Sequence, residues 1–297
     1  MSTALVTGAG GFVGAHLCAR LVADGWQVWG TVRPGAVPPA GVLPLPVDLT
    51  DAVALAEAVA TAAPDVAFHL AAARAKATGI DRCATTLVNA VSGLHLVEAL
   101  PSSCRAVVGL GSSTEYAETA GPMDEEAPLR PRGFFAATKA AGSLLLTAAA
   151  NERGLRSAVL RAFQVYGPGD HAVRFVPSVL RAAADGTVLR LTGPGQRRDW
   201  VWVGDVVNAC LRAAAADDLA PGAVLNIGTG AQTANEELVA LAAEVTGRPV
   251  ATEVGGHPGR SWDAASWVSD PARARALLGW EPQVDLREGL ARTWAAR

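Results

Sequence analysis

Short runs of apolar residues alternate along this chain with longer segments in which apolar residues recur every three or four positions. The short runs predict buried β-strands, and the longer segments predict α-helices with one buried face. Strands are predicted at residues 4–6, 27–32, 65–70, 106–110 and 157–162, and a proline-rich link leads to residues 43–47 and the turn at 48–50. Helices are predicted at residues 15–21, 52–62, 85–100, 134–153 and 176–184. Strands that are apolar throughout indicate a parallel sheet with helices on both faces.

A glycine-rich turn, Thr7-Gly8-Ala9-Gly10-Gly11-Phe12-Val13-Gly14, connects the first predicted strand to the first predicted helix. Glycines let the backbone turn tightly and approach a pyrophosphate, and a helix N-terminus offers free N–H groups to it. Packing alone also explains glycines in such a turn. Because this turn opens an alternating chain, we interpret it as a dinucleotide-binding loop. The predicted cofactor contacts are Gly8, Gly11, Phe12, Val13 and Gly14.

The composition of the chain changes after Tyr166, where glycine- and proline-containing loops flank a single helix and short elements follow. We therefore predict a Rossmann-type, doubly wound parallel α/β sheet with a smaller C-terminal α/β substrate-binding region. Residues 1–165 form the predicted NAD(P)-binding domain, to which the chain returns near residues 200–230. Residues 166–297 form mainly the substrate-binding region. In open sheets of this kind the ligand lies beyond the carboxyl ends of the strands.

Composition and charge narrow the classes of partner. Half of the 297 residues are hydrophobic, and the formal net charge is −3 without a basic block, so no nucleic-acid or membrane partner is expected. No apolar run approaches the roughly 20 residues that span a bilayer, and no secretory signal is recognisable. Four scattered cysteines fit reduced thiols, which indicates a cytoplasmic protein. The histidines lack ligand-type spacing, so no metal is expected.

A series of short motifs runs nearly from end to end. They are Thr7-Gly8-x-x-Gly11-Phe12-x-Gly14, Asp48-Leu49, His69-Leu70-Ala71-Ala72, Asn89, Gly111-Ser112-Ser113, Lys139, Arg161-x-Phe163-x-Val165-Tyr166-Gly167-Pro168, Arg198-Asp199-Trp200 and Leu278-Gly279-Trp280-x-Pro282. In this order they resemble the extended short-chain dehydrogenase/reductase family, which includes the NAD-dependent epimerases and dehydratases, in its nucleotide-sugar-modifying branch. The resemblance implies a nucleotide-diphosphate sugar as substrate and a homodimer formed through the helices at 85–100 and 134–153.

Within that branch the chain is most similar to reductases of nucleotide-linked 4-keto-6-deoxy sugars, especially GDP-mannose-derived ones. This similarity is carried by Gly30-Thr31-Val32-Arg33, by Gly111-Ser112-Ser113-Thr114-Glu115-Tyr116 and by Leu129-Arg130-Pro131. Sugar 4,6-dehydratases of the branch carry an acidic residue at the position of Thr114, so a dehydratase is disfavoured.

The end of the second strand bears on the choice of cofactor. An NAD site has a carboxylate there to bind the ribose 2′-hydroxyl, whereas this chain has Arg33, which favours the 2′-phosphate of NADP. Arg33 is also explained as a solvated surface residue, and NAD stays the alternative. The resemblance implies adenine contacts by Asp48 and Leu49. It places further residues against the dinucleotide, namely Leu70, Ala71, Ala72, Lys139, Phe163 and Val165.

The catalytic motif departs from the family. Its Tyr-x-x-x-Lys is replaced by Phe135-Ala136-Ala137-Thr138-Lys139, so the residue that normally exchanges a proton has no ionisable group. Neither Tyr116 nor Tyr166 has the required spacing from Lys139. The resemblance assigns catalytic roles to Ser112 and Lys139. Substitute proton donors are Ser113, Tyr116, Tyr166, His171 or a water bound to Lys139.

The substrate side matches the family at two arginines. Arg198 and Arg260 correspond to residues that bind the nucleoside diphosphate, and guanidinium groups suit phosphate oxygens. Each is also explained by a structural pair with a neighbouring aspartate. Gln164 replaces the family's substrate-loop asparagine, and Tyr166 lies on the loop that borders the substrate in relatives.

Three functions stay open from the sequence. The leading hypothesis is an NADP-dependent reductase of a nucleotide-linked 4-keto sugar with an atypical proton donor. An epimerase with a tightly bound cofactor is the second, and a non-catalytic NAD(P)-binding sensor is the third. Retention of Ser112, Lys139, Arg198 and Arg260 argues against the sensor.

Overall fold

Seven parallel strands form the central sheet of the protein. A computed structural model describes residues 1–73, 81–256 and 266–297. The strand order is β11-β6-β5-β4-β1-β2-β3, so the chain reverses direction across the sheet between β1 and β4. This is the doubly wound arrangement predicted from the sequence, in which the crevice at the reversal point holds the ligand.

The element bounds follow in chain order. The strands are β1 (Thr3–Thr7), β2 (Gln27–Val32), β3 (Leu43–Pro46), β4 (Val66–His69), β5 (Ala106–Ser112), β6 (Ser157–Ala162), β7 (Gln164–Tyr166), β8 (Leu189–Leu191), β9 (Arg197–Arg198), β10 (Trp200–Trp202), β11 (Ala223–Ile227), β12 (Thr233–Ala234) and β13 (Thr252–Val254). The helices are α1 (Phe12–Ala23), α2 (Ala52–Ala62), α3 (Arg82–Thr86), α4 (Ser92–Ala99), α5 (Phe134–Glu152), α6 (Phe175–Asp185), α7 (Val203–Ala215), α8 (Asn235–Thr246), α9 (Ala272–Leu278) and α10 (Leu286–Ala295).

Successive residues of the central strands enter two different cores. In β1, Ala4 and Val6 pack into the core that contains α1 and α7, whereas Leu5 packs into the core that contains α2, α4 and α5. Val107 and Val108 of β5 divide in the same way. Side chains alternate between the faces of a strand, so a strand covered on both faces is apolar at every position.

The long helix predicted at residues 85–100 is in fact three segments. The α-helices α3 and α4 are separated by a π-helical turn, Leu87–Val91, and the N–H of Ser92 bonds the carbonyl of Leu87 five residues back. Helix α5 packs tightly on this turn, because a Cβ on Gly142 would lie 2.1 Å from the carbonyl oxygen of Asn89. Apolar periodicity does not distinguish one wide turn from continuous α-helix, so the sequence missed it.

Beside the central sheet there are three two-stranded sheets among the described residues. They pair β7 with β10, β9 with β12 and β8 with β13. Asp199, fully buried between β9 and β10, ties this region together. Its carboxylate accepts five hydrogen bonds of 2.6–3.1 Å from Thr229, Gly230 and Ser269. Strand β11 then returns to the central sheet beside β6.

The described residues form neither a membrane-spanning helix nor a cluster of metal-binding side chains. Within residues 1–73, 81–256 and 266–297, no helix is long and apolar enough to cross a membrane. The same ranges contain no group of three or more histidine, cysteine or acidic side chains arranged to hold a metal ion.

Candidate active site

The glycine-rich turn lies at the carboxyl end of β1, where the sheet reverses. Gly8 has a φ of +72°, and a Cβ there would lie 2.8 Å from the backbone of Ala71. A Cβ on Gly14 would lie 2.1 Å from the carbonyl oxygen of Gly8. Gly8 and Gly14 are therefore required for the turn itself and for packing α1 against it.

The outer side of the same turn is open. A Cβ on Gly10 would meet no atom within 4 Å, and Gly11 precedes α1 as its N-cap without any side-chain hydrogen bond. Helix α1 therefore begins, at Phe12 and Val13, directly after this open position. This combination fits a pyrophosphate, so the residues present suit a dinucleotide.

The predicted adenine side of the cofactor site is built at the ends of β2 and β3. Arg33 follows β2 directly and is exposed. Thr31 on β2 is buried, and its Oγ1 accepts a hydrogen bond from the N–H of Gly8 at 3.2 Å. Asp48 follows β3, and its Oδ1 accepts from the backbone and hydroxyl of Thr50. The backbone hydrogen bond from Thr50 lowers the pKa of Asp48, so this carboxylate is charged at neutral pH.

The segment after β4 packs against the glycine turn, with the backbone of Ala71 beside Gly8. His69 is buried, and its ring bonds the hydroxyls of Thr7 (2.9 Å) and Ser92 (3.4 Å). Burial first, and the charge of Lys139 second, lower the pKa of His69 to about 3. His69 is therefore neutral at physiological pH and acts as a structural residue. After it, Leu70 is partly buried, Ala71 is buried against Gly8, and Ala72 is exposed.

An asparagine in the π-helical turn braces this segment. The side chain of Asn89 accepts from the N–H of Ala73 (2.6 Å) and donates to the carbonyl of Ala73 (3.0 Å) and to Thr138 (3.0 Å). The hydroxyl of Thr138 in turn donates to the carbonyl of Phe135. Sequence reasoning noted Asn89 as a motif but did not predict its bracing role, because the π-helical turn that orients it leaves no pattern.

Ser112 ends β5 and caps the short turn Ser113–Glu115. Its Oγ shares a hydrogen bond of 2.8 Å with Oγ1 of Thr114, and its N–H donates to Oε1 of Glu115. Ser112 is partly exposed at the carboxyl edge of the sheet, whereas Ser113 is 2% exposed. Ser112 is therefore accessible to a ligand in the crevice, and Ser113 is enclosed.

Helix α5 presents Phe135 and Lys139 one turn apart on one face. Nζ of Lys139 donates a hydrogen bond of 2.6 Å to the carbonyl of Leu110 on β5. Burial lowers the pKa of Lys139, and the charge of Glu115 opposes that effect. The ammonium group thus contacts the carboxyl end of β5 at Leu110, which is two residues before Ser112 in the sequence.

Both tyrosines are enclosed. Tyr116 is completely buried, and its hydroxyl donates to Asn226 (2.7 Å) and accepts from Arg161 (3.0 Å). Tyr166 is 1% exposed and packs edge-on against Trp200 and Trp202. Burial raises the pKa of each phenol. These positions argue against either tyrosine as the proton donor and against a direct substrate contact by Tyr166.

The remaining predicted contacts, two with the cofactor and one with the substrate, lie in different surroundings. Phe163 packs in an apolar cluster with Tyr116 and Met123, and Val165 packs in the core. Both side chains are buried, which argues against side-chain contacts with a cofactor. Oε1 of Gln164 accepts a hydrogen bond from Arg174, which the sequence analysis did not single out.

Of the two arginines predicted to bind phosphate, the structure describes only Arg198. Arg198 is partly buried in β9, and its guanidinium donates to the carbonyl of Arg197 at 2.8 Å. Arg260 lies outside the described residues. His171, one of the suggested proton donors, is exposed on the loop that follows β7.

The sheet order and the glycine turn define a Rossmann-type dinucleotide-binding protein with a hydroxyl and an ammonium group at the binding edge. The model of the NAD-dependent epimerase/dehydratase family matches residues 4–228. The chain belongs to this family, part of the extended short-chain dehydrogenases/reductases, as its motifs predicted.

Three similar proteins illustrate the range of the family. The chain is 34% identical to a UDP-glucose 4-epimerase of Mycolicibacterium smegmatis, over 97% of this chain and 96% of the relative. It is 30% identical to dTDP-6-deoxy-L-talose 4-dehydrogenase (NAD(P)(+)) of Kitasatospora kifunensis, over 98% and 94%. Among solved structures, MoeE5 in complex with UDP-glucose and NAD is 33% identical, with a TM-score of 0.89 over 99% of this chain and 98% of that one.

Proposed function

We propose that the protein binds NAD(P) and a nucleotide-diphosphate sugar and carries out hydride transfer at C4 of the sugar. The observation that carries this proposal is the place of Ser112 and Lys139 at the same sheet edge as the open glycine turn. A cofactor on the turn and a sugar over β5 would meet between these two side chains. The similar proteins named above act on, or are complexed with, nucleotide sugars.

The roles of the chain's own groups follow from their chemistry. The hydroxyl of Ser112 is placed to hydrogen-bond the sugar oxygen at the reacting carbon, and Thr114 orients that hydroxyl. The ammonium group of Lys139, fixed by the carbonyl of Leu110, stabilises negative charge that develops on the same oxygen. A bound nicotinamide supplies the acceptor and donor of the hydride.

Proton exchange takes an unusual route in this proposal, because Phe135 stands where the family has a tyrosine. With Tyr116 and Tyr166 enclosed, the remaining candidates are the hydroxyl pair of Ser112 and Thr114, a water bound to Lys139, and exposed His171. A weaker acid than the usual phenol–lysine pair predicts a slow enzyme.

Epimerisation is the net reaction that the comparisons favour. The UDP-glucose 4-epimerase is the more similar of the two relatives, and the MoeE5 structure is a complex with NAD. Net reduction of a 4-keto sugar is the second candidate. It is favoured by exposed Arg33, which suits the 2′-phosphate of NADP, and by similarity to the dTDP-6-deoxy-L-talose 4-dehydrogenase.

Cofactor retention separates the two reactions. The purified protein is denatured, and the released nucleotide is identified by mass spectrometry. UDP-, dTDP- and GDP-hexoses and their 4-keto-6-deoxy derivatives are then supplied with and without NADPH. Retained cofactor with interconversion of C4 epimers supports an epimerase, and stoichiometric NADPH consumption supports a reductase. Absence of both across the panel refutes the proposed function.

We also propose a homodimer in which α4 and α5 pair with the same helices of a second copy. Apolar side chains exposed on this side support it: Leu144 and Leu145 on α5 and Leu87 in the π-helical turn. Leu144 is the most exposed of the three, at 57%, and grouped exposed apolar side chains mark protein–protein interfaces. Light scattering of the native chain and of Leu144→Lys tests this. A monomeric native chain contradicts it.

A further inference from the structure

Glu115 is a fully buried carboxylate next to the site to which the proposed mechanism gives no role. Its side chain is 0% exposed. Oε1 accepts hydrogen bonds of 2.8 Å from the N–H of Ser112 and from the hydroxyl of Ser143. Oε2 accepts a 2.8 Å hydrogen bond from Nε of Arg161. Three protein donors thus stand where water would bind an exposed carboxylate.

These contacts join the two walls of the site. Ser112 belongs to β5, and Ser143 lies one turn after Lys139 on the same face of α5. The packing around the carboxylate is close, because a Cβ on Gly111 would lie 3.0 Å from Oε1. A displaced Glu115 would therefore change the separation between Ser112 and Lys139.

The charge of Glu115 needs its own explanation. Burying an ion pair such as Glu115–Arg161 costs desolvation, and an apolar pair of similar volume is often as stable. Arg161 is held in turn by Tyr116, with the guanidinium carbon 4.7 Å from the ring centre. A carboxylate that is fully buried in an ion pair, close to the partly buried ammonium group of Lys139, indicates a role beyond stability.

We propose that Glu115 is a positioning residue that holds Ser112 and Lys139 in register and supplies a negative charge beside the ammonium group of Lys139. This rests on the proposed function, in which Lys139 acts as the ammonium group. Burial lowers the pKa of Lys139, and Glu115 supplies the opposing charge. The other titratable or charged groups near Lys139 come from three elements. His69 on β4 is neutral and adds no charge, whereas Arg161 of β6 bonds Oε2 of Glu115 and the hydroxyl of Tyr116. Arg82 of α3 lies over the ring of Phe134.

The lysine content of the chain allows a direct test. Lys76 and Lys139 are its only lysines, so the variant Lys76→Arg leaves Lys139 as the single lysine. Growth on isotope-labelled lysine then gives one side-chain NMR resonance, whose pH titration reports the pKa of Lys139. The titration needs neither substrate nor turnover. It can therefore refute the role of Glu115 while the proposed function holds, and the proposed function can be refuted while the role of Glu115 holds.

In this background we expect Lys139 to be charged at pH 7 and Glu115→Gln to lower its pKa by about 1 unit, the effect of losing a neighbouring opposite charge. The matched control Ser143→Ala removes a hydrogen bond to Glu115 but keeps the charge, and leaves the pKa unchanged. The double variant Glu115→Gln/Arg161→Gln avoids an unpaired buried cation and shifts the pKa in the same direction.

Two results overturn the proposal. One is a Lys139 that is already neutral at pH 7 in the Lys76→Arg chain, a measurement that needs no change at Glu115. The other is an unchanged or raised pKa in the Glu115→Gln variant or, where that variant does not fold, in the double variant. The alkaline limb of the kcat–pH profile shifts to lower pH with the same substitutions if the proposed function also holds.

Discussion

Nζ of Lys139 donates a hydrogen bond of 2.6 Å to the carbonyl oxygen of Leu110, and this contact ties α5 to the end of β5. Leu110 is two residues before Ser112, so the bond fixes the ammonium group beside the candidate catalytic hydroxyl. The family's tyrosine would stand one helical turn earlier, where the chain has Phe135. The proposed site thus has ammonium and hydroxyl groups, and phenylalanine at the position where the resemblance implies a tyrosine.

Restoring the phenol is expected to raise activity. Phe135→Tyr places a hydroxyl on the face of α5 that carries Lys139, and general acid–base catalysis of this kind contributes about 10²-fold or more to kcat. Steady-state kinetics with the best substrate of the panel measure the gain. Phe134→Tyr is the matched control, since Phe134 lies off that face under the guanidinium of Arg82, and it leaves kcat unchanged.

The outcome of that pair also separates an enzyme from a sensor. Measurable turnover in the native chain, increased by Phe135→Tyr, supports a rewired but active site. A native chain without turnover that becomes active only with the tyrosine supports a non-catalytic NAD(P)-binding protein. Equal gains from Phe134→Tyr and Phe135→Tyr contradict the assigned geometry.

The choice of cofactor is expected to depend on Arg33. Arg33→Ser removes the cation beside the predicted 2′-phosphate site, and loss of one charge-assisted contact weakens NADPH binding about tenfold. NADH binding stays the same, because it has no 2′-phosphate. Calorimetric titration with both cofactors measures this, with Arg20→Ser on the exposed face of α1 as the control. Equal losses for NADPH and NADH contradict the role of Arg33.

Substitution of two glycines of the turn is expected to affect different properties, folding stability at Gly14 and dinucleotide affinity at Gly10. Gly14→Ala places a Cβ 2.1 Å from the carbonyl oxygen of Gly8 and should cost about 3 kcal/mol of folding stability. Gly10→Ala has open space around the new Cβ, so the melting temperature stays the same while dinucleotide affinity falls. Thermal melts and cofactor titrations measure the two effects. A Gly14→Ala protein as stable as the native chain contradicts the packing account.

Many helices and strands were predictable, because their bounds depend on the pattern of apolar and capping residues that are adjacent in the sequence. Helix α2 begins and ends at the predicted residues, since Asp51 caps it and Pro64 follows it. Strand β6 likewise coincides with its apolar run at residues 157–162. Each boundary is set by residues adjacent in sequence.

The features that the sequence missed depend on distant residues. Glu115 and Arg161 are 46 positions apart, and only the pairing of β5 with β6 brings them together. The burial of Tyr166 depends on Trp202 and on Gly289, where a Cβ would lie 1.9 Å from the phenol oxygen. Resemblance to a family indicated which residues to consider but not which of them face the crevice.

Stability at acid pH is expected to reflect His69. Its pKa is about 3 in the folded chain against 6.5 for an unperturbed histidine, so the unfolded state binds the extra proton between these values. The stabilisation is complete above pH 6.5 and is lost as the pH falls towards 3, at about 1.4 kcal/mol per pH unit. Urea unfolding of the native chain and of His69→Gln should show their difference shrinking over this interval.

A matched control for the pH effect is His171→Gln, because His171 is exposed. That variant should follow the native chain at every pH. A constant difference between the native chain and His69→Gln from pH 7 to pH 4 would show that His69 is not held neutral by burial.

Single-turnover hydride transfer in the native chain tests the central claim most directly. The purified protein, loaded with oxidised cofactor, is mixed with UDP-, dTDP- and GDP-linked hexoses, and formation of reduced nicotinamide is followed by fluorescence. The account predicts a signal with at least one nucleotide sugar and a loss of about 10²-fold in its rate in Lys139→Ala, with Lys76→Arg unchanged. No signal from a cofactor-loaded native chain, or an equal rate in Lys139→Ala, would contradict it.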